Sequence, residues 1–311
     1  MKPKVSIIGA GMTGSTTAHW LAEREIADIV LVDIVEGMPQ GKALDMQESM
    51  PVIGKDVTIV GTNGYEETAG SDIIVITAGI PRKPGMSRDD LLTTNAKIVG
   101  EATEKTVKLS PDAIYIVLTN PLDTMCLVTL EKSGLPRERI IGQAGILDSS
   151  RMSAFIAMET GISVENINCY VLGGHGDTMV PLTRHSNVAG VPLDQMLAKD
   201  KLDAIVERTR KGGGEIVGLL KTGSAFYAPA AAIAQMCEAI LKDKNLVVPC
   251  SVQLDGEYGQ EGIFFGVPVQ LGRKGLVRVI EYDLNDAEKA ALEESAEHVR
   301  SNMKALRELG F

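Results

Sequence analysis

The sequence predicts an α/β protein in which a doubly wound parallel sheet is followed by a second half of α+β type. Three observations carry that expectation. Residues 1–143 alternate short β-branched runs with stretches of helical spacing. Two of the runs, Asp72–Ile76 and Ala113–Leu118, are almost continuously apolar instead of alternating, as expected of strands covered on both faces. From Gly145 onward the order changes to grouped helical stretches and then antiparallel-looking strands.

Taken in order, Lys4–Ile8 is a short apolar strand and Ser15–Glu25 a helix. Asp28–Val32 is the next strand. Gly37–Met50 reads as a helix that ends before Pro51, because proline has no N–H to continue the ladder. Val57–Val60 is a short strand, Arg88–Lys108 a helix that stops before Pro111, and Arg139–Gly142 the last strand of this half. In the second half a helix over 148–160 leads into a strand-like segment, Asn166–Leu172. Helical spacing then runs from Asp200 to Lys242, interrupted at Gly212-Gly213-Gly214 and near Gly223. The triple glycine follows Lys211 and suggests a phosphate loop, but no strand precedes it. A helix break or a close helix crossing fits better. Strands at 245–254, 263–271 and 275–281 and an amphipathic helix over 285–309 complete the chain. With no repeat and no low-complexity linker, two closely packed domains are expected, 1–143 and 144–311.

The bulk properties narrow the function. The chain has 311 residues and a net charge of −10 with no basic cluster, which argues against a nucleic-acid or anionic-membrane surface. Four scattered cysteines without a CxxC pair read as reduced thiols of a cytoplasmic protein. The uncharged stretch from Val5 to Ala22 holds three glycines, hydroxyl residues and His19, too polar and broken for a signal or membrane segment.

Gly9-Ala10-Gly11-Met12-Thr13-Gly14 lies between the first strand and the first helix. Such a turn aims backbone N–H groups, at the positive end of a helix, toward a pyrophosphate. Asp33 ends the second strand about twenty residues on, where an acid can accept from both hydroxyls of an adenosine ribose and repels a 2′-phosphate. The pair points to NAD and a Rossmann domain. A tight βα turn with a solvated aspartate is the alternative.

In such sheets ligands lie at the carboxyl ends of the strands. His175, in the turn Gly173-Gly174-His175-Gly176-Asp177, is a candidate general acid/base, since histidine both takes and gives a proton near neutrality. A solvated or metal-binding histidine is the alternative, though no HxH or HxxxH spacing supports a zinc site. The loop Gly79–Arg88 carries Arg82, Lys83 and Arg88 between glycines and prolines, a pattern for a lid over an anion or for a basic solvated loop. Asp148 and Arg151 share the first turn of a helix, and Asn120 ends a buried strand at the ligand edge.

These motifs, with Ile80–Met86, Thr119-Asn120-Pro121 and Leu147–Arg151, keep one order and spacing. Over essentially its whole length the chain resembles the lactate/malate dehydrogenase family, on the branch of malate dehydrogenases that are lactate-dehydrogenase-like. The resemblance implies reversible oxidation of (S)-malate to oxaloacetate with NAD and no metal. It implies His175 as proton acceptor, Asp148 as the carboxylate that orients it, and Arg151 as clamp for the substrate's 1-carboxylate. Arg88 would polarise the reacting carbonyl, and Arg82 would pair with the second carboxylate where lactate enzymes usually carry glutamine. Gly9, Ala10, Gly11, Met12, Thr13, Gly14, Asp33, Asn95, Leu118, Thr119 and Asn120 would hold NAD, Asn120 also touching substrate. Gly223-Ser224-Ala225 matches a pocket-lining segment. Family members are dimers or tetramers, and this branch implies a homotetramer. A lactate dehydrogenase with an atypical loop and a silent NAD-binding regulator are the competing readings.

Overall fold

The computed structural model describes residues 2–81 and 87–311. In the first half, strands β1 (Lys4–Ile8), β2 (Asp28–Val32), β3 (Ile59–Thr62), β4 (Ile73–Ile76), β5 (Ile114–Val117) and β6 (Ile140–Gly142) pair in parallel in the order β3-β2-β1-β4-β5-β6. Ile73 to Ile76 and Tyr115 to Val117 are completely buried, which accounts for their unbroken apolar runs. Between β1 and β4 the strand order reverses, and the crevice at the carboxyl ends of that pair is where a doubly wound sheet binds its ligand.

Helices α1 (Met12–Glu23), α2 (Met38–Ile53), α3 (Arg88–Leu109) and α4 (Leu122–Ser133) make the crossovers, and α5 (Gly145–Thr160) follows β6. The expected end of α2 before Pro51 is incorrect. The helix runs on to Ile53, because Pro51 lies in its last turn and forfeits only one bond, to the Gln47 carbonyl. Gly54, in the left-handed region at φ 68°, and Lys55 then both donate to the Met50 carbonyl and close the helix.

In the second half, Asn166–Leu172 is two strands rather than one, β7 (Ile167–Asn168) and β8 (Val171–Leu172). They belong to separate small sheets with β9 (Val180–Pro181), β10 (Asn187–Val188) and β11 (Val191–Pro192). After the short α6 (Leu193–Met196), α7 (Lys199–Leu220) continues unbroken through Gly212–Gly214, so the helix break is incorrect and the close crossing is what occurs. A Cβ on Gly212 would stand 3.1 Å from Arg151 Cδ on α5. The interruption near Gly223 is present, between α7 and α8 (Tyr227–Leu241).

Strands β12 (Leu246–Asp255), β13 (Glu261–Gly272) and β14 (Gly275–Val279) are antiparallel, as expected, but they extend the first sheet. The join is a single pairing, Ser251 opposite Gly142, where a Cβ on Gly142 would lie 2.8 Å from both Ser251 Cβ and Cys126 Sγ. One hydrophobic core therefore spans both halves, from Val5 on β1 to Leu306 on α9 (Asp286–Glu308). Among the described residues no helix is long and apolar enough to cross a membrane.

Candidate active site

The glycine loop is built by close approach. Gly9 sits at φ +111°, and a Cβ there would come within 2.7 Å of Ala78 N and Thr77 Oγ1. A Cβ on Gly14 would lie 1.8 Å from the Gly9 carbonyl oxygen, so α1 can start this close to β1 only without a side chain. Gly11 faces open space. It precedes α1 without a side-chain cap, and the first turn holds no acid. The leading N–H groups of Met12, Thr13 and Gly14 thus face the crevice with the positive end of the helix behind them, which fits the pyrophosphate of a dinucleotide. Asp33 flanks the loop: its Oδ2 accepts from Ala10 N–H at 2.7 Å and its Oδ1 from Val35 N–H at 3.0 Å. Each oxygen keeps a second lone pair for a ribose hydroxyl. Sequence reasoning missed Lys42, whose ammonium donates to the Ala10 carbonyl at 2.6 Å and to Ser15 Oγ at 3.0 Å. No motif marks it, because the contact links α2 to the loop across 32 residues.

A cleft of ≈ 1490 Å³ runs from this loop past Leu118, Thr119 and Asn120 to Arg151 and His175, and Gly223-Ser224-Ala225 line its far wall. Thr119 Oγ donates to the Ala78 carbonyl at 2.6 Å, holding the ends of β4 and β5 together. Asn95 is buried and its amide is spent on backbone: Oδ1 accepts from Ile80 N–H at 2.8 Å, while Nδ2 donates to the Ile80 carbonyl at 3.2 Å and the Asn120 carbonyl at 2.7 Å. It shapes the cleft wall between those two loops.

At the other end, α5 presents Asp148 and Arg151 from one turn. The buried Asp148 accepts from both sides, with His175 Nδ1 2.9 Å from Oδ2 and Arg151 Nη1 3.1 Å from Oδ1. Nδ1–H is thereby fixed on the carboxylate and Nε2 is left for chemistry. Burial opposes a charge on the ring, but the Asp148 carboxylate outweighs it and holds the His175 pKa above the ordinary 6.5. Arg151 Nε is buried without an acceptor, and its guanidinium packs along the glycines of α7. A half-buried cation with one buried, unused donor, beside a histidine in a cleft, is a site for an anionic group.

The His175 turn is held by three successive N–H groups, each on a different element. Gly173 donates to the Gly266 carbonyl on β13 at 2.8 Å, Gly174 to Ser295 Oγ on α9 at 3.0 Å, and His175 to Asp123 Oδ2 on α4 at 3.1 Å. Asp123, Ser251 and Ser295 were not singled out from the sequence, since only the packed sheet brings them together.

One arginine stands apart from this cluster. Arg88, the first residue of α3, is exposed, and its guanidinium donates to Asn302 Oδ1 and lies 3.1 Å from His298 Nε2 on α9. It is not brought to His175. Arg82 lies outside the described residues.

Residues 3–142 match the family model described as lactate/malate dehydrogenase, NAD binding domain, and residues 146–309 match its alpha/beta C-terminal domain. The malate dehydrogenase of Roseiflexus sp. (strain RS-1) is 58% identical over 307 residues, covering 99% of each chain. Among solved structures, Cryptosporidium parvum malate dehydrogenase superposes with a TM-score of 0.96 at 44% identity, over 99% of this chain and 100% of that one. The lactate dehydrogenase of the same organism, complexed with lactic acid and the nicotinamide cofactor, also gives 0.96, at 42% identity over 99% and 98%. Backbone likeness alone does not separate malate from lactate chemistry.

Proposed function

The chain belongs to the lactate/malate dehydrogenase family, and we propose that it catalyses the reversible, NAD-dependent oxidation of (S)-malate to oxaloacetate. The observation that carries the reading is the Asp148–His175–Arg151 cluster at the end of a cleft that begins at the glycine loop. The N–H groups of Gly11 to Gly14 would hold the pyrophosphate and Asp33 the adenosine ribose, with Ala10, Leu118, Thr119 and Asn120 along the wall and Asn95 behind it. Bound NAD⁺ supplies the acceptor for the hydride that leaves C2 of malate.

The chain's own residues do the rest. His175 Nε2 takes the malate hydroxyl proton, and Asp148 at Nδ1 stabilises the imidazolium that results. In the reverse direction the same imidazolium donates to the keto oxygen. Arg151 forks onto the 1-carboxylate, which supplies the acceptor that its buried Nε lacks. Arg88 polarises the keto oxygen after exchanging His298 and Asn302 for substrate. Arg82 pairs with the second carboxylate. Pyruvate has no such group and would leave that cation without a partner in a closed site.

The test is NADH oxidation with oxaloacetate and pyruvate side by side. Wild type is expected to prefer oxaloacetate, and Arg82→Gln to move the kcat/KM ratio toward pyruvate by about two orders of magnitude or more. An unchanged ratio would remove Arg82 from substrate choice. Completing the reading are domains over 1–143 and 144–311, a homotetrameric assembly by analogy with the family branch, and a cytoplasmic location. Light scattering on the eluted protein tests the assembly.

A further inference from the structure

We propose that Asp123 is a positioning residue for the reaction, fixing the His175 backbone and supporting the charge that its ring acquires. The proposal rests on the reading of His175 as proton acceptor. Asp123 is buried, and both of its oxygens are committed: Oδ2 accepts from His175 N–H at 3.1 Å and Oδ1 from Ser251 O–H at 2.6 Å. It sits in the first turn of α4, three residues after Asn120, so one turn of chain ties the cleft wall to the proton-transfer histidine. Ser251 is the residue that pairs with Gly142 where the two halves of the sheet join. The carboxylate thus binds the catalytic turn to that seam.

Position alone would not call for an acid. A neutral acceptor could receive the His175 N–H, and among the described residues no Lys or Arg forms an ion pair with Asp123. Burying a carboxylate without a cation is costly. The positive end of α4 offsets part of that cost, and the group nearby that becomes a cation during turnover is His175. Burial pushes the Asp123 carboxyl up, against the pull of the Ser251 and His175 hydrogen bonds, while its charge raises the affinity of His175 for a proton. The other ionisable groups acting on the pair are Asp148 and Arg151 from α5, while Cys126, on α4 with Asp123, has its thiol pushed up by burial and by the Asp123 charge. The turn's contacts on β13 and α9 are Gly266 and Ser295, which do not titrate.

Asp123→Asn separates the two roles. Its amide oxygen can still accept from His175 N–H while its NH₂ donates to Ser251 Oγ, but the charge is gone. Asp123→Ala removes both. In Asp123→Ala, kcat for oxaloacetate reduction is expected to fall more than about tenfold with NADH binding, read by fluorescence, within about twofold of wild type. Asp123→Asn should restore most of kcat while moving the midpoint of its pH profile downward. The His175 ring titration, followed by NMR in the protein without substrate and identified by the signal that His175→Asn removes, should move the same way. Wild-type kcat in Asp123→Ala, or a wild-type His175 titration in Asp123→Asn, would overturn the proposal. Should wild type fail to reduce oxaloacetate, the functional reading falls, while the NMR titration still decides whether Asp123 supports the charge on His175. If Asp123→Ala does not fold, Asp123→Asn and that titration decide alone.

Discussion

Replacing Asp148 by asparagine is the sharpest perturbation of the site, because this carboxylate accepts from two donors at once. His175 Nδ1 lies 2.9 Å from one oxygen and Arg151 Nη1 3.1 Å from the other. An amide has one acceptor atom. If its oxygen faces His175, its NH₂ meets the Arg151 guanidinium; turned round, it meets Nδ1–H. Two unit charges at about 4 Å attract by about 4 kcal/mol at an effective dielectric near 20, an upper limit for the loss. An amide dipole recovers part of that, and a hydrogen bond to a charged group is worth about 1.5–3 kcal/mol. The expected fall in kcat/KM for oxaloacetate reduction is therefore about 10- to 150-fold. It carries a pH signature. Asp148 raises the His175 pKa above 6.5, and reduction needs the imidazolium, so the variant's profile breaks at lower pH than wild type. The deficit should widen as pH rises from below the variant's midpoint to above that of wild type. Initial rates of NADH oxidation from about pH 5.5 to 9.5 test this. A deficit of the same size at every pH, with an unmoved midpoint, would refute electrostatic support of the imidazolium and leave Asp148 a spacer.

Two further outcomes follow from the geometry. Gly212→Val places atoms against Arg151 Cδ, where even a Cβ would stand 3.1 Å away, so KM for oxaloacetate should rise about tenfold or more while NADH binding is kept; an unchanged KM would show that Arg151 does not depend on that packing. His175 has a raised pKa in the fold, so its stabilising ion pair is fully present below the unfolded value of 6.5 and is lost as pH rises through the folded one. The urea midpoints of wild type and His175→Gln should accordingly converge over that window; a constant difference would contradict the pairing.

The parallel half was legible because its strands are buried on both faces and announce themselves as apolar runs between helices. Asp148, Arg151 and His175 were legible as a motif set, and the structure gathers them into one cluster. What stayed hidden depends on partners distant in the chain. Proline usually ends a helix, but Pro51 falls where one bond is lost and Gly54 closes the turn. Gly212–Gly214 read as an interruption because intrinsic propensity disfavours glycine in helices; the Arg151 side chain packed against them is invisible locally. Strands β12 to β14 were foreseen, but not their union with the first sheet, which hangs on Ser251 and Gly142, 109 positions apart. Asp123 has no role that the sequence alone assigns, since its partners lie 52 and 128 residues away. Arg88 shows a different limit. Its motif suggests work in the cleft, whereas its guanidinium here rests on α9, so that work requires a movement.

That His175 transfers the proton in an oxaloacetate/malate reaction is tested most directly by oxaloacetate-dependent NADH oxidation in wild type and His175→Asn. The account predicts rapid turnover by wild type and a loss of about two to four orders of magnitude in kcat for the variant, with NADH binding retained. Comparable turnover by the two proteins would contradict it.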